Sequence, residues 1–331
     1  MGLDANLGRV TLDEIKALVG ADFDAVDARI ADQLSSDVAL VGEVSNYLIH
    51  AGGKRLRPLL VLLTARACGY QGERHVNAAA LIEFIHTATL LHDDVVDGSA
   101  KRRGRDTANE VFGNQASVLV GDFLYSRAFQ MMVTLGSLRV MEVLANATNT
   151  IAEGEVLQLM NAHDPETSEE RYFQVIYRKT AKLFEAGAQI AGILADVPSR
   201  QEASLIAYGR HVGTAFQLVD DYLDYRAAPD DLGKNLGDDL AEGKPTLPLI
   251  YALRAGTPVQ QALIREAIGR GGLERLDEIT AAIESSGGLK YTELLAQRES
   301  ELALEALGGL RDTPYRHALS ALARFAVTRT Y

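Results

Sequence analysis

Along this chain apolar residues recur at spacings of three and four, and strict alternation at spacing two is absent. In the stretch 75–92, Val76, Ala79, Ala80, Ile82, Ile85, Leu90 and Leu91 form a broad apolar face that no Gly or Pro interrupts. Runs of the same kind occupy about 11–34, 37–50, 58–68, 116–135, 138–160, 168–194 and 200–226, with shorter ones from 245 to 329. Breakers separate them: Gly69, Gly98 to Gly104, Asp164-Pro165, Pro198, Gly243 to Pro245 and Gly287-Gly288. The pattern predicts an all-α protein, one domain over residues 1–331, with no linker or repeat dividing it. Segments 78–97 and 205–224 are apolar nearly all round, which predicts central helices of a large bundle.

Composition narrows the function classes. With 33 basic against 45 acidic residues the formal charge is −12, which excludes a nucleic-acid binder working through a basic surface. Taken alone, that surplus of acid also argues against anionic ligands. The single cysteine, Cys68, gives no disulfide and no thiolate metal site. No basic stretch followed by an apolar core opens the chain, and no apolar run nears the roughly 20 residues of a membrane span. A cytoplasmic protein is expected.

The candidate chemistry lies at the ends of the two most apolar segments. Asp93-Asp94-Val95-Val96-Asp97 and Asp220-Asp221-Tyr222-Leu223-Asp224 are both DDxxD. On a helix the first and last Asp of each fall one turn apart, about 6 Å, on one face. Like charges there, at the helix pole that disfavours anions, destabilise the helix unless a cation joins them. Hard oxygen donors in this number suit Mg²⁺ with waters and a substrate phosphate. A lone DDxxD is equally consistent with a solvated helix end. Here Thr87, Ala88 and Leu91 before the first box match Thr214, Ala215 and Leu218 before the second, which suggests two equivalent helices facing one cavity.

Cations are spread around these boxes. Gly52-Gly53-Lys54-Arg55-Leu56-Arg57-Pro58 puts three at a turn just before a helix, a place suited to phosphate. Lys101, Arg102, Arg103 and Arg105 follow the first box, where paired guanidiniums can clamp diphosphate oxygens. Arg178-Lys179-Thr180 lies inside a helical run, and Lys234 and Lys244 flank Asp238-Asp239. Each is an ordinary charged turn when taken singly; together they describe a pocket for two polyphosphates. His86 stands two turns before Asp93 on the same helix face and is either a packed histidine or a phosphate contact. No Walker loop, GxGxxG or Ser-His-Asp grouping occurs, so the chemistry falls to metal and leaving group.

The chain resembles the trans-isoprenyl (polyprenyl) diphosphate synthases over essentially its whole length. GGKRLRP, LLHDDVVDGSAKRRG, KTAKLFEAG, FQLVDDYLDY and GKNLGDDLAEGKPTLP stand in the family's order and spacing. GDFLYSRAFQMMVTLGS and IAEGEVLQLMN look most like the octaprenyl diphosphate synthases of quinone side-chain biosynthesis.

The resemblance implies the isoprenoid synthase fold, a helical bundle around a deep apolar cavity, and a homodimer. It implies metal binding by Asp93, Asp97 and Asp220, with Asp94, Asp221 and Asp224 as further ligands or supports, and roughly two to three Mg²⁺ per active site. Lys54, Arg57, His86 and Arg103 would hold isopentenyl diphosphate. Arg102, Lys179, Thr180, Gln217, Lys234 and Lys244 would bind the allylic diphosphate, with Lys179, Arg102 and Gln217 at the reacting end. The implied activity is sequential condensation of isopentenyl diphosphate onto a primer such as farnesyl diphosphate, the product passing to membrane enzymes. Ala88 and Thr89, one turn below Asp93, are small enough to leave a product tunnel open, and Phe129, Met131 and Met132 are candidates for its floor. The alternatives are a shorter-chain synthase and a non-catalytic partner subunit; the latter would be expected to lack one acidic box.

Overall fold

Helices carry almost all of the computed structural model, which describes residues 11–50, 53–102, 104–226 and 236–329. Arg103 and Lys234 lie outside the described residues. The first eleven helices are α1 (Leu12–Ala17), α2 (Gly20–Gln33), α3 (Ala39–His50), α4 (Leu56–Ala67), α5 (Arg74–Val96), α6 (Ala108–Phe112), α7 (Asn114–Thr134), α8 (Leu138–Asn161), α9 (Glu169–Ile176), α10 (Lys182–Leu194) and α11 (Ser199–Leu223). Helices Asp238–Ala241, Leu247–Ala255, Pro258–Arg270, Leu276–Ser286, Gly288–Ala306 and Pro314–Thr328 follow among the described residues. The expected run 11–34 divides at Val19, where the backbone leaves helical geometry. Thr11 and Glu14 start α1 with a reciprocal capping box. Lys101–Arg102 pairs antiparallel with Arg105–Asp106, a hairpin of two residues a side and too short to leave an alternating pattern in the sequence.

The segments apolar nearly all round, in α5 and α11, are central, and α4 is buried as deeply. Leu59, Leu60, Leu62 and Leu63 of α4 have no exposed surface, and neither do Ala78 to Ile82 of α5. Fully burying one such leucine is worth about 1.5–3 kcal/mol, so α4 and α5 together fix the middle of the bundle. Helix α11 lies close against the α9–α10 segment because Gly213 carries no side chain; a Cβ there would stand 2.6 Å from the Ala181 Cα. Tyr208, on the same helix and wholly buried, donates its hydroxyl proton to the Leu319 carbonyl at 2.9 Å and ties in the helix Pro314–Thr328.

A second apolar cluster joins Leu240, Leu249, Ile264, Ile279 and Ile283. A third, with Tyr172, Leu218, Leu223, Leu247 and Ala296, lies where α9, α11 and the later helices meet. Among the described residues no helix is long and apolar enough to cross a membrane. The two acidic boxes thus sit at the C-terminal ends of α5 and α11, two helices of the core.

Candidate active site

The first and last acids of each box sit where the helix ends. Asp93 is in the last turn of α5, and Asp97 caps it, donating its backbone N–H to the Asp93 carbonyl. Asp220 and Asp224 occupy the same two positions on α11. The second acid of each box turns inward instead. Asp94, nearly buried, is held by the Arg102 guanidinium at 2.6 Å. Asp221, equally buried, accepts hydrogen bonds from Tyr172 at 2.6 Å and Gln217 at 2.8 Å. Burial pushes the Asp221 carboxyl up to about 8, Asp239 pushes the same way, and these two donors resist it.

Every box acid turned toward the cleft for which a partner is resolved meets a cation. Lys179 Nζ lies 3.3 Å from Asp93 and 2.6 Å from Glu155. Lys244 Nζ lies 2.8 Å from Asp97 and also pairs with Glu242. Burial works against both ammonium groups. Asp93 and Glu155 outweigh it at Lys179, and Asp239, Asp97 and Glu242 outweigh it at Lys244, so both lysines are held above their ordinary pKa. Lys244 thus feels the first box through Asp97 and reaches toward the second through Asp239, which also acts on Asp221.

Local geometry aims these groups. Between α9 and α10 the helix widens into a π-turn, Tyr177–Ala181, a feature frequent at functional sites. It carries Lys179 and Thr180, and the Thr180 hydroxyl donates to Gln217 Oε1 at 2.8 Å. Gly154 on α8 permits the approach, since a Cβ there would come within 2.8 Å of the Lys179 nitrogen. Lys179, Thr180, Gln217 and Lys244, scattered through the sequence, are thereby brought to the two boxes. On the other side Arg57 lies 3.1 Å from His86 Nε2 and packs over the Phe184 ring, while Lys54 stands over Phe325.

Three participants were not legible in the sequence. Glu155 is mostly buried beside Lys179, and burial pushes its carboxyl up to about 7 against the pull of that lysine. Its segment, IAEGEVLQLMN, carries the resemblance and holds no charge pattern that points to Lys179. Glu242 reaches Lys244 from within the Gly-rich stretch. Arg329, almost wholly buried, pairs with Asp220 at 2.6 Å, donates to the Phe216 carbonyl at 2.7 Å and covers the Phe216 ring at 3.8 Å. No local pattern marks an arginine in the final turn as a neighbour of a box 109 positions earlier.

The expected tunnel residues fall differently. A cavity of about 90 Å³ adjoins α5, lined there by Phe84, Thr87, Leu90 and Leu91 and across from them by Leu34, Leu48 and Leu124, with Arg102 and His86 at its polar side. Ala88, Thr89, Phe129, Met131 and Met132 do not line it. Ala88, Met131 and Met132 are buried in the core, and Thr89, half-buried, donates its hydroxyl proton to the His86 carbonyl. Phe129 is 44% exposed, which removes it from the interior of this chain. The buried stripe of α7 runs through Leu124, Ala128, Met131 and Met132, and Phe129 falls one position off it.

Hard carboxylate donors at two helix ends suit Mg²⁺. Among the described residues no three His, Cys, Asp or Glu side chains converge into a ready-made cage. Mg²⁺ needs no such cage, because it keeps waters and takes one or two carboxylates together with substrate phosphates. The donor set fits the ion.

Comparison with known proteins identifies the family. A family model described as polyprenyl synthetase matches residues 38–285. The octaprenyl diphosphate synthase of Escherichia coli (strain K12) is 56% identical over 321 residues, covering 97% of this chain and 99% of that one. An all-trans-nonaprenyl-diphosphate synthase (geranyl-diphosphate specific) of Rhodobacter capsulatus is 49% identical over 317 residues, 96% of this chain and 97% of that one. Among solved structures, a polyprenyl synthase from Caulobacter crescentus CB15, complexed with calcium and isoprenyl diphosphate, superposes with a TM-score of 0.94 at 44% identity over 97% and 98% of the two chains.

Proposed function

The chain belongs to the polyprenyl synthetase family and is a long-chain all-trans-polyprenyl diphosphate synthase, a prenyltransferase, and from that premise we propose that it makes octaprenyl diphosphate from a farnesyl-type primer for a quinone side chain. The observation that carries the site assignment is the pairing at the helix ends. Lys179 with Asp93, Arg102 with Asp94 and Lys244 with Asp97 each join a diphosphate-binding cation to an acid of the first box. Each of these cations is held by an acid of the first box and is released to a diphosphate when that acid has another cation to serve.

Asp93, Asp97 and Asp220 would hold Mg²⁺, with Asp94, Asp221 and Asp224 behind them. Bound there, Mg²⁺ supplies Lewis-acid neutralisation of the leaving diphosphate. Lys179, Arg102 and Lys244, and Lys234 by the resemblance, then turn their charge to the allylic diphosphate, and Thr180 and Gln217 add polar contacts to it. The allylic C–O bond breaks with its electron pair leaving on the diphosphate. Lys54, Arg57 and His86, with Arg103 by the resemblance, hold isopentenyl diphosphate so that its double bond attacks the allylic cation. A proton is then lost to the departing diphosphate, and the new allylic chain is one unit longer. The apolar bundle keeps water from the cation. The exposed stripe Val118, Leu119, Phe129 and Val133 on α7 is a suitable contact for a second copy of the chain.

The test is release of inorganic diphosphate from farnesyl and isopentenyl diphosphates with Mg²⁺. Asp93→Asn and Lys179→Ala are each expected to lower kcat by about 10²–10³-fold with the fold intact by circular dichroism. Wild-type rates in either variant would remove these residues from the chemistry.

A further inference from the structure

Arg55 lies between Lys54 and Arg57 and has no part in the reading above. Its backbone is left-handed, with φ 49° and ψ 45°, a conformation that costs any residue bearing a Cβ. It is the residue immediately before α4, and its carbonyl accepts the first hydrogen bond of that helix, from Leu59 at 3.1 Å. Arg57 is fixed on the helix side of this turn by Phe184 and His86. Lys54 lies on the other side, over Phe325. Rotation at Arg55 therefore changes how the two flanking cations face one another.

What holds the turn comes from another helix. The Arg55 guanidinium, 17% exposed, pairs with Asp27 of α2. At the other end of α4, Asp22 of the same helix grips Arg66 at 2.6 Å and His75 at 3.0 Å. The crossed order, 22 with 66 and 27 with 55, sets α2 antiparallel to α4 and clamps both ends of it. Asp27 is thus a fixed anchor.

We propose that the Arg55–Asp27 pair is a positioning device that holds this turn left-handed so that Lys54 and Arg57 converge on one diphosphate. Arg55 is a positioning residue, not a catalytic one. The inference rests on the assignment of Lys54 and Arg57 to isopentenyl diphosphate.

Steady-state kinetics of the full-length enzyme, with farnesyl diphosphate and Mg²⁺ saturating, separate the possibilities. Arg55→Ala loses the pair and keeps the Cβ, and is expected to raise the KM for isopentenyl diphosphate about tenfold. Arg55→Gly loses the pair too, yet glycine takes a positive φ freely, so its KM should rise only about twofold. Asp27→Asn should raise it about three- to fivefold, and Arg55→Lys should restore most of the loss. The KM for farnesyl diphosphate should stay within about twofold throughout. A merely structural contact predicts the reverse order, with glycine worse than alanine, and that order would overturn the proposal. An unchanged KM in Asp27→Asn would overturn it as well, and this variant, at a half-exposed surface position, carries the test if Arg55→Ala does not fold. Arg57→Ala is the control: an unchanged KM for isopentenyl diphosphate there would sink the underlying site assignment, and this inference with it.

Discussion

At the scale of single residues, the site is a set of acids paired with fewer cations inside an apolar bundle. Glu155 shows the cost. Burial raises its carboxyl to about 7 although Lys179 is in contact, so the folded protein favours the protonated form more than the unfolded chain does. A carboxyl raised in this way contributes stability that is present below about pH 4.5 and is lost as pH climbs to about 7. Urea unfolding of the metal-free protein should therefore show Glu155→Gln gaining on wild type by about 2 kcal/mol between pH 5 and pH 7.5. A stability difference that does not change with pH would contradict the burial argument. The box acids stand out in the sequence because two DDxxD motifs follow matching apolar runs, with the first and last acid of each on one helix face. Glu155 and Arg329 do not, since a lone charge acquires meaning only from the element packed against it.

At the scale of elements, periodicity was informative because most of these helices have a packed side and an open one. It located the long helices to within a few residues and put both acidic boxes at C-terminal ends. Two things escaped it. The π-turn that aims Lys179 is a change of hydrogen-bond register with no distinctive composition, in a segment that reads as one continuous helix. The tunnel wall depends on which side of α5 the product follows, and a helix apolar nearly all round offers no preferred side. The cavity lies on the side of Thr87 and Leu91, about 100° from Ala88 around the helix. A route past Ala88 and Thr89, the latter directly one turn below Asp93, makes a distinct prediction. Ala88→Phe is expected to shorten the product to about three to four isoprene units, the ring filling the level about 5.4 Å below the acids, while Thr87→Phe leaves it long. Chromatography of the dephosphorylated products decides, and truncation by Thr87→Phe alone would move the route to the observed cavity.

For the whole molecule, the formal charge of −12 first pointed away from anionic ligands, and the fold reverses that inference. Half of the surplus corresponds to the six acids of the two boxes; Asp93, Asp94, Asp97 and Asp220 are paired with lysines or arginines, and Asp221 is buried against Tyr172 and Gln217. An acidic protein can bind diphosphates when its acids recruit the metal that the diphosphates also need. Overall likeness does not fix product length, because a relative 49% identical is named for nine units and one 56% identical for eight. The decisive measurement is incubation of the purified protein with farnesyl diphosphate, isopentenyl diphosphate and Mg²⁺, with products resolved by chain length. The proposed function predicts an all-trans series that accumulates at eight units and disappears when the metal is chelated. A series ending at three or four units, or no elongation from any allylic primer, would contradict it.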